Sequence, residues 1–339
     1  MALPQPAAKA HIQWTAVMAL RTATRLEDFG SMSAARNGSR CQVAGRRGCP
    51  ASVDPPSPLG ELKARHQRFL AEHVDRSVEA DGRRWHYLMG GHGSDAVLVL
   101  PGGSMCPDSY FQLIGVLERE HRVIAPTYPA ASTIADLVHG LVAVLDAERL
   151  APVAVFGASF GGYVAQVLVR LYPQRVDRLV LSHTAIRHPA GRRSMTALAA
   201  LLSVLPDTIV RAVMWRVWMR LFSVRSAERT FWRGMLHGVL DRLSKAQLVA
   251  VMRCMADFAG YHMKREDLAG WTGDVLILES AHDAAYGQAA RAELRATYPA
   301  ATVHTFHDAG HTALWTHAAE YNEVIRSFLV EPPLAEISS

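Results

Sequence analysis

Ser159 lies between Gly157 and Gly161 in the stretch VAVFGASFGG, residues 153–162. A serine hydroxyl is a weak nucleophile at neutral pH, so chemistry at this position needs a neighbouring base and an acid to orient that base. An apolar strand that runs straight into a helix through so tight a turn holds its apex residue in a strained backbone conformation, and small residues two positions away avoid the clash. Gly157 and Gly161 meet that requirement. The same turn sets the Phe160 N–H at a helix N-terminus, where it can donate to a developing negative charge. The implied chemistry is attack of the Ser159 oxygen on an acyl carbonyl. For the five letters alone the alternative is a glycine-rich turn with an incidental serine, and the strand before and amphipathic helix after argue against it.

Sixteen histidines compete for the role of base. His311 stands out because FHDAGHTALW follows the last strand-like run and precedes the helix-like AAEYNEVIRSFL. A loop there reaches the strand-end face of a parallel sheet, where such sheets bind their ligands. Asp283 is the expected acid, in the loop after DVLILE and 28 residues before His311. Glu279, at the end of that strand, is the rival. His282 and His307 fall nearby with no derivable role. In LVLPGGSMCP, Gly102 and Gly103 let the backbone approach a ligand closely, and the Gly103 N–H is the expected second oxyanion donor. A phosphate cradle is the weaker alternative for that pair, since neither a following Lys-Ser/Thr nor G-x-G-x-x-G is present.

The elements that must carry these residues are legible as short apolar runs: AVLVL (96–100), RVIAP (122–126), VAVFG (153–157), RLVLS (178–182), DVLILE (274–279) and TVHTFH (302–307). Apolar runs alternating with helix-length segments predict a doubly wound α/β domain with a mostly parallel sheet covered on both faces. PLGELKARHQRFLAEH predicts a helix, and RSVEADGRRWHYLMGG a hairpin about Ala80-Asp81-Gly82. About ninety residues separate the runs ending at Ser182 and starting at Asp274, far beyond a simple crossover of about a dozen. The insertion, about 186–270, predicts a helical cap subdomain. Residues 59–331 form the expected domain, 332–339 a tail, and 1–58 a disordered extension rich in Ala, Arg, Gly and Ser.

Half of the 339 residues are hydrophobic and a fifth charged, with a formal net charge of +5. That composition fits a globular chain with one large core. No apolar run is long enough for a membrane span, and residues 14–20 are short for a signal peptide, so a cytoplasmic location is expected. The four cysteines are too widely spaced for a zinc pattern, and no metal or cofactor is expected. Basic residues gather in the tail and in the insertion, where Arg211, Arg216 and Arg220 recur at helical spacing. A solvated face is the expected outcome, with membrane-surface or acidic-substrate contact the alternative. Nothing resembles a nucleic-acid recognition element. The apolar residues of the insertion predict a small, hydrophobic acyl substrate, most of them serving the insertion's own core.

HRVIAPTYP, ERLAPVAVFGASFGGYVAQVLVRLYPQRVDRLVLSHT and FHDAGHTALWTHAAEYNEVIRSFL together resemble the α/β-hydrolase fold superfamily, from about residue 60 to 331. The resemblance implies Ser159 as nucleophile, Asp283 as acid and His311 as base of an esterase-type serine hydrolase. Pro101-Gly102 stands where the superfamily usually has His-Gly, and Thr127 where it usually has Asp. The PG loop is similar to maspardin-like members, some of which bind without catalysis. Acyl transfer, thioester release and carbon-carbon bond hydrolysis are alternatives on the same scaffold.

Overall fold

The computed structural model describes residues 58–330, except 225, 226 and 262. The expected extension over 1–58 lies outside them but for Pro58, as does the expected tail 332–339. The first helix, α1 (Pro58–Glu72), leads into a hairpin of β1 (Asp75–Ala80) and β2 (Arg83–Gly91). Asp81 and Gly82 both have positive φ, 49° and 68°, the two-residue turn that matches the twist of paired strands.

The remaining strands alternate with helices: β3 (Ala96–Leu100), α2 (Phe111–Leu117), β4 (Arg122–Thr127), α3 (Ile134–Ala147), β5 (Val153–Ala158), α4 (Phe160–Leu171) and β6 (Val176–Ser182). After an insertion come β7 (Asp274–Ser280), α9 (Gln288–Thr297), β8 (Thr302–Phe306), α10 (Ala313–Thr316) and α11 (Ala318–Val330). The eight strands form one sheet in the order β1-β2-β4-β3-β5-β6-β7-β8. β2 pairs antiparallel with β1 and β4, and every pairing from β4 to β8 is parallel.

β3 and β5 are buried along their whole length, which is why their sequences are apolar without alternation. β8 is different: its outer residues are exposed because it is the sheet edge. α3 packs with α4, and α2 with α11. α3 starts in a capping box in which the Thr133 side chain accepts from the Asp136 N–H and Asp136 accepts from the Thr133 N–H, satisfying two otherwise orphaned donors.

The insertion comprises α5 (Gly191–Val204), α6 (Asp207–Leu221), α7 (Arg229–Arg242) and α8 (Lys245–Phe258). Pro206 separates α5 from α6, as the break in the apolar run predicts. Most of the apolar side chains serve the core: Met195, Leu202, Met214, Trp218 and Trp232 are buried, whereas Leu201 is exposed. Arg211 is not part of a solvated stripe. Its guanidinium donates to Asp207 and to the carbonyls of Leu240 and Leu243, so the cation sits where the C-terminal end of α7 concentrates negative charge. Arg216 and Arg220 are exposed. Among the described residues no helix is long and apolar enough to cross a membrane.

Candidate active site

β5 lies in the middle of the sheet and delivers Ser159 at its carboxyl end. Ser159 has φ 51° and ψ −114°, a conformation that costs a non-glycine residue about 1–3 kcal/mol and persists only where the surroundings enforce it. Three contacts enforce it here. The Ser159 N–H donates to Ser182 O at 2.8 Å, the Gly162 N–H donates to Ser159 O at 3.0 Å, and the Thr184 hydroxyl donates to the same carbonyl at 2.8 Å.

Both glycines of the motif are sterically required. A Cβ on Gly157 would sit 2.5 Å from Gly161 O. One on Gly161 would overlap Leu100 O and lie 2.7 Å from Pro101 O. All of these are backbone atoms that cannot rotate away. The glycines therefore let α4 begin directly against the end of β3.

His311 reaches Ser159 from the loop after β8. Its Nε2 is 3.1 Å from Ser159 Oγ, and its Nδ1 is 3.0 Å from each carboxylate oxygen of Asp283. Asp283 is fixed in turn by the N–H groups of Ala285 and Tyr286, which donate to its Oδ1 at 2.7 and 3.2 Å. The carboxylate side chain is 2 % exposed. Burial pushes its pKa up, but the attraction and hydrogen bond of His311, with a smaller contribution from the Ala285 N–H, together hold it below the usual carboxylate value. An ionised Asp283 keeps the imidazole proton on Nδ1 and leaves Nε2 as the acceptor facing the serine.

Glu279 does not share this role. It is buried, accepts from Arg295 at 2.6 Å and from Thr305 at 3.2 Å, and so is committed to the packing of α9 and β8. His282 is exposed, and His307 is exposed beyond β8.

In the loop after β3, the Gly102 N–H is already used: it donates to the buried Tyr110 hydroxyl at 2.9 Å. A Cβ on Gly102 would lie 3.4 Å from the Ser159 Cβ, so this backbone borders the serine. A Cβ on Gly103 would meet nothing within 4 Å, and its N–H has no acceptor among the described residues. The loop is closed by the Met105 N–H on Gly102 O and by the Tyr128 N–H on Met105 O, both at 2.9 Å. Met105 has φ 63° while buried.

Several neighbours of the three residues carry no sequence motif. His183, with φ 45°, is buried between Ser182 Oγ at 2.8 Å and Ser280 Oγ at 2.7 Å. Its ring meets His311 edge-on with centroids 5.9 Å apart. Burial pushes its pKa down to about 3, so it is a neutral support. Tyr286 follows Asp283 in the same loop and packs 5.8 Å from the His311 ring, and its hydroxyl is 2.9 Å from that of Tyr163 on α4. The insertion touches the histidine loop through Ser223, whose N–H and hydroxyl meet Thr312 Oγ1 at 3.2 and 2.6 Å. A cavity of about 1010 Å³ beside that loop, lined by Arg65, Arg119, Gly310 and Trp315 among others, includes none of Ser159, Asp283 and His311.

Similar architecture occurs in an enol-lactonase from Burkholderia xenovorans, 19 % identical, with a TM-score of 0.66 over 76 % of this chain and 100 % of that one. A hydrolase from Pseudomonas aeruginosa is 20 % identical, with a TM-score of 0.64 over 76 % of this chain and 98 % of that one. A carboxylesterase from Bacillus subtilis is 19 % identical, with a TM-score of 0.57 over 80 % of this chain and 97 % of that one. At these identities the likeness is one of fold. The model of the alpha/beta hydrolase family matches residues 97–324, a span that runs from β3 into α11 and includes Ser159, Asp283 and His311. The chain belongs to the alpha/beta hydrolase family.

Proposed function

We propose that the protein is a serine hydrolase that cleaves a carboxylic ester or related acyl bond through an acyl-enzyme on Ser159. The observation that carries this is the continuous contact from Ser159 Oγ through His311 to Asp283, at 3.1 and 3.0 Å. His311 Nε2 takes the serine proton as Oγ attacks the acyl carbon. The negative charge that gathers on the carbonyl oxygen is met by the amides of Gly103 and Phe160, each worth about 3 kcal/mol of barrier. The imidazolium gives its proton to the leaving group, and water activated by the same histidine releases the acid. Asp283 orients the ring and stabilises its charged form.

Two of the similar structures, by name an enol-lactonase and a carboxylesterase, belong to classes that act on ester linkages, which supports an ester substrate. The apolar residues of the insertion, among them the buried Phe258 stacked on Tyr163 of α4, favour a small substrate with a hydrophobic acyl group. Ser159→Ala is expected to abolish turnover of short acyl nitrophenyl esters while the thermal unfolding midpoint stays within a few degrees of wild type. Full activity in that variant would overturn the assignment.

A further inference from the structure

We propose that the outer face of the inserted helices docks on an anionic membrane surface, led by the aliphatic corner at which α5 turns into α6. At that corner Val204 is 78 % exposed, Leu201 53 % and Ile209 41 %. Single exposed aliphatic residues are ordinary, but three at one turn form a patch of the kind that marks a contact surface. Helical spacing lines them up with cations. Arg193, Ala197, Leu201 and Val204 recur along the exposed face of α5, and Ile209, Ala212, Arg216 and Arg220 along that of α6. Met195 and Leu202, and Val210, Met214 and Trp218, fill the opposite, buried faces. The apolar side chains therefore meet at the corner, with Arg216 roughly 10 Å and Arg193 roughly 16 Å back along their helices.

The charge on this layer has one sign. α5, α6 and α8, the last packed against both of the others, carry seven Lys and Arg against two Asp. Both carboxylates are engaged within the fold: Asp207 accepts from Arg211 at 2.8 Å, and Asp257 accepts from the Ile134 N–H at 2.9 Å. Beside the corner, between α8, the end of α5 and the loop after β4, lies a recess of about 310 Å³. Lys245, Arg253, Ser132 and Ser203 give it polar groups, and Ala131 and Val249 apolar walls. Lys245 uses one of its donors on Ser203 O at 2.8 Å, which leaves two for an anion. Arg253 is exposed. Two cations over small apolar walls fit a phosphate-bearing headgroup. Residues 130–132 of the recess follow β4 at the same edge of the parallel strands as Ser159, so docking here sets that edge toward the lipid.

Other occupants match this face less well. A second copy would bring like charges together, which opposes association. Residues 1–57 are themselves basic, with seven Lys and Arg against three acidic residues. An anionic bilayer complements the cations and accepts the aliphatic side chains at the boundary between headgroups and acyl chains, about 5–10 Å deep. The two contributions together meet the requirement that stable surface binding has more than one source.

Cosedimentation of the full chain with vesicles tests the proposal. Vesicles of phosphatidylcholine and phosphatidylserine in equal parts are expected to bind wild-type protein at least about tenfold more tightly than phosphatidylcholine alone, and raised salt to remove the difference. Changing Arg193, Arg216 and Arg253 together to Gln is expected to weaken binding roughly a hundredfold, at about fivefold per cation. Leu201→Ser, Val204→Ser and Ile209→Ser combined are expected to weaken it roughly thirtyfold or more. All six positions are exposed and outside the catalytic contacts, so turnover of a dissolved nitrophenyl ester is expected to stay within about twofold in both variants. Val204→Trp reads insertion directly: its emission, taken as the difference from wild type, is expected to shift to the blue on the mixed vesicles. Failure of wild type to bind those vesicles, wild-type binding in both combined variants, or an unshifted emission overturns the proposal. Self-association of wild type that the serine variant abolishes assigns the corner to a second copy and overturns it as well. None of these readouts depends on the chemistry at Ser159.

Discussion

Replacing Asp283 by Asn tests whether this carboxylate sets the proton position on His311. Oδ1 of Asp283 accepts from the Ala285 and Tyr286 amides at 2.7 and 3.2 Å, and both carboxylate oxygens face His311 Nδ1 at 3.0 Å. In the Asn variant the amide oxygen keeps the two loop donors, which turns the NH₂ group toward His311. An NH₂ group at the place of Oδ2, 3.0 Å from Nδ1, opposes a proton there and favours the ring form with its proton on Nε2, where it cannot accept from Ser159. Flipping the amide would recover the useful proton position but break both loop bonds, at about 1 kcal/mol each. That cost of about 2 kcal/mol limits the flipped form to roughly one molecule in thirty. Loss of the negative charge opposite the imidazolium lowers the rate further, toward the roughly 10⁴-fold seen when an orienting aspartate is amidated in a serine protease. Activity on a nitrophenyl ester is therefore expected to fall by between about thirtyfold and 10⁴-fold, with KM little changed and the far-ultraviolet dichroism intact. A loss of less than about tenfold in kcat would refute the reasoning.

Three further expectations concern the frame around the site. Gly161→Ala forces a Cβ into the backbone of Leu100 and Pro101. Overpacking of this kind costs typically about 1–3 kcal/mol, and because no side chain can rotate aside the upper end is expected in urea unfolding; wild-type stability would contradict the packing argument. Glu279→Gln, on a group bound to Arg295 and Thr305, should lower stability but leave kcat within about threefold, since one protonation-independent bond to each partner survives; a hundredfold loss of kcat would return Glu279 as the acid. His183, held down to about 3 from 6.5, stays neutral in the fold while the unfolded chain takes up a proton. Its effect on stability is nil above about pH 6.5, and stability falls as pH drops from there toward 3, by up to about 1.4 kcal/mol per pH unit. His188, held down to about 4 by burial, adds to the same slope. His183→Gln should therefore lose stability less steeply between pH 6 and pH 4, and identical slopes in denaturant titrations would contradict it.

The parts of the fold that were legible are those where burial on both faces writes itself into composition. AVLVL and VAVFGA are apolar throughout because β3 and β5 lie inside the sheet, and Gly157 is dictated by a backbone contact four residues away, on Gly161, whereas the contacts that dictate Gly161 are on Leu100 and Pro101. His311 and Asp283 were legible because strand-end loops of a parallel sheet converge on one edge. Other features depend on contacts distant in sequence. Nothing in SHT announces that His183 spans Ser182 and Ser280, and nothing in AAYG places the Tyr286 hydroxyl against Tyr163, 123 residues away. Arg211 read as part of a basic stripe because helical spacing is local, while its partners at and just past the end of α7 lie 29 and 32 residues on. The choice of the Gly103 amide over Gly102 has a physical basis that only the structure supplies, the Tyr110 hydroxyl occupying the Gly102 N–H.

The central claim is that Ser159 is an activated nucleophile, and covalent labelling tests it most directly. A fluorophosphonate probe requires both a deprotonatable serine and donors for the phosphonyl oxygen, the features assigned to Ser159, His311 and the amides of Gly103 and Phe160. Incubation of the full chain followed by peptide mapping is expected to find one equivalent of probe on Ser159, and none on Ser159→Ala or after thermal unfolding. Failure of folded wild-type protein to react at Ser159, or equal labelling of Ser159→Ala at another residue, would contradict the account.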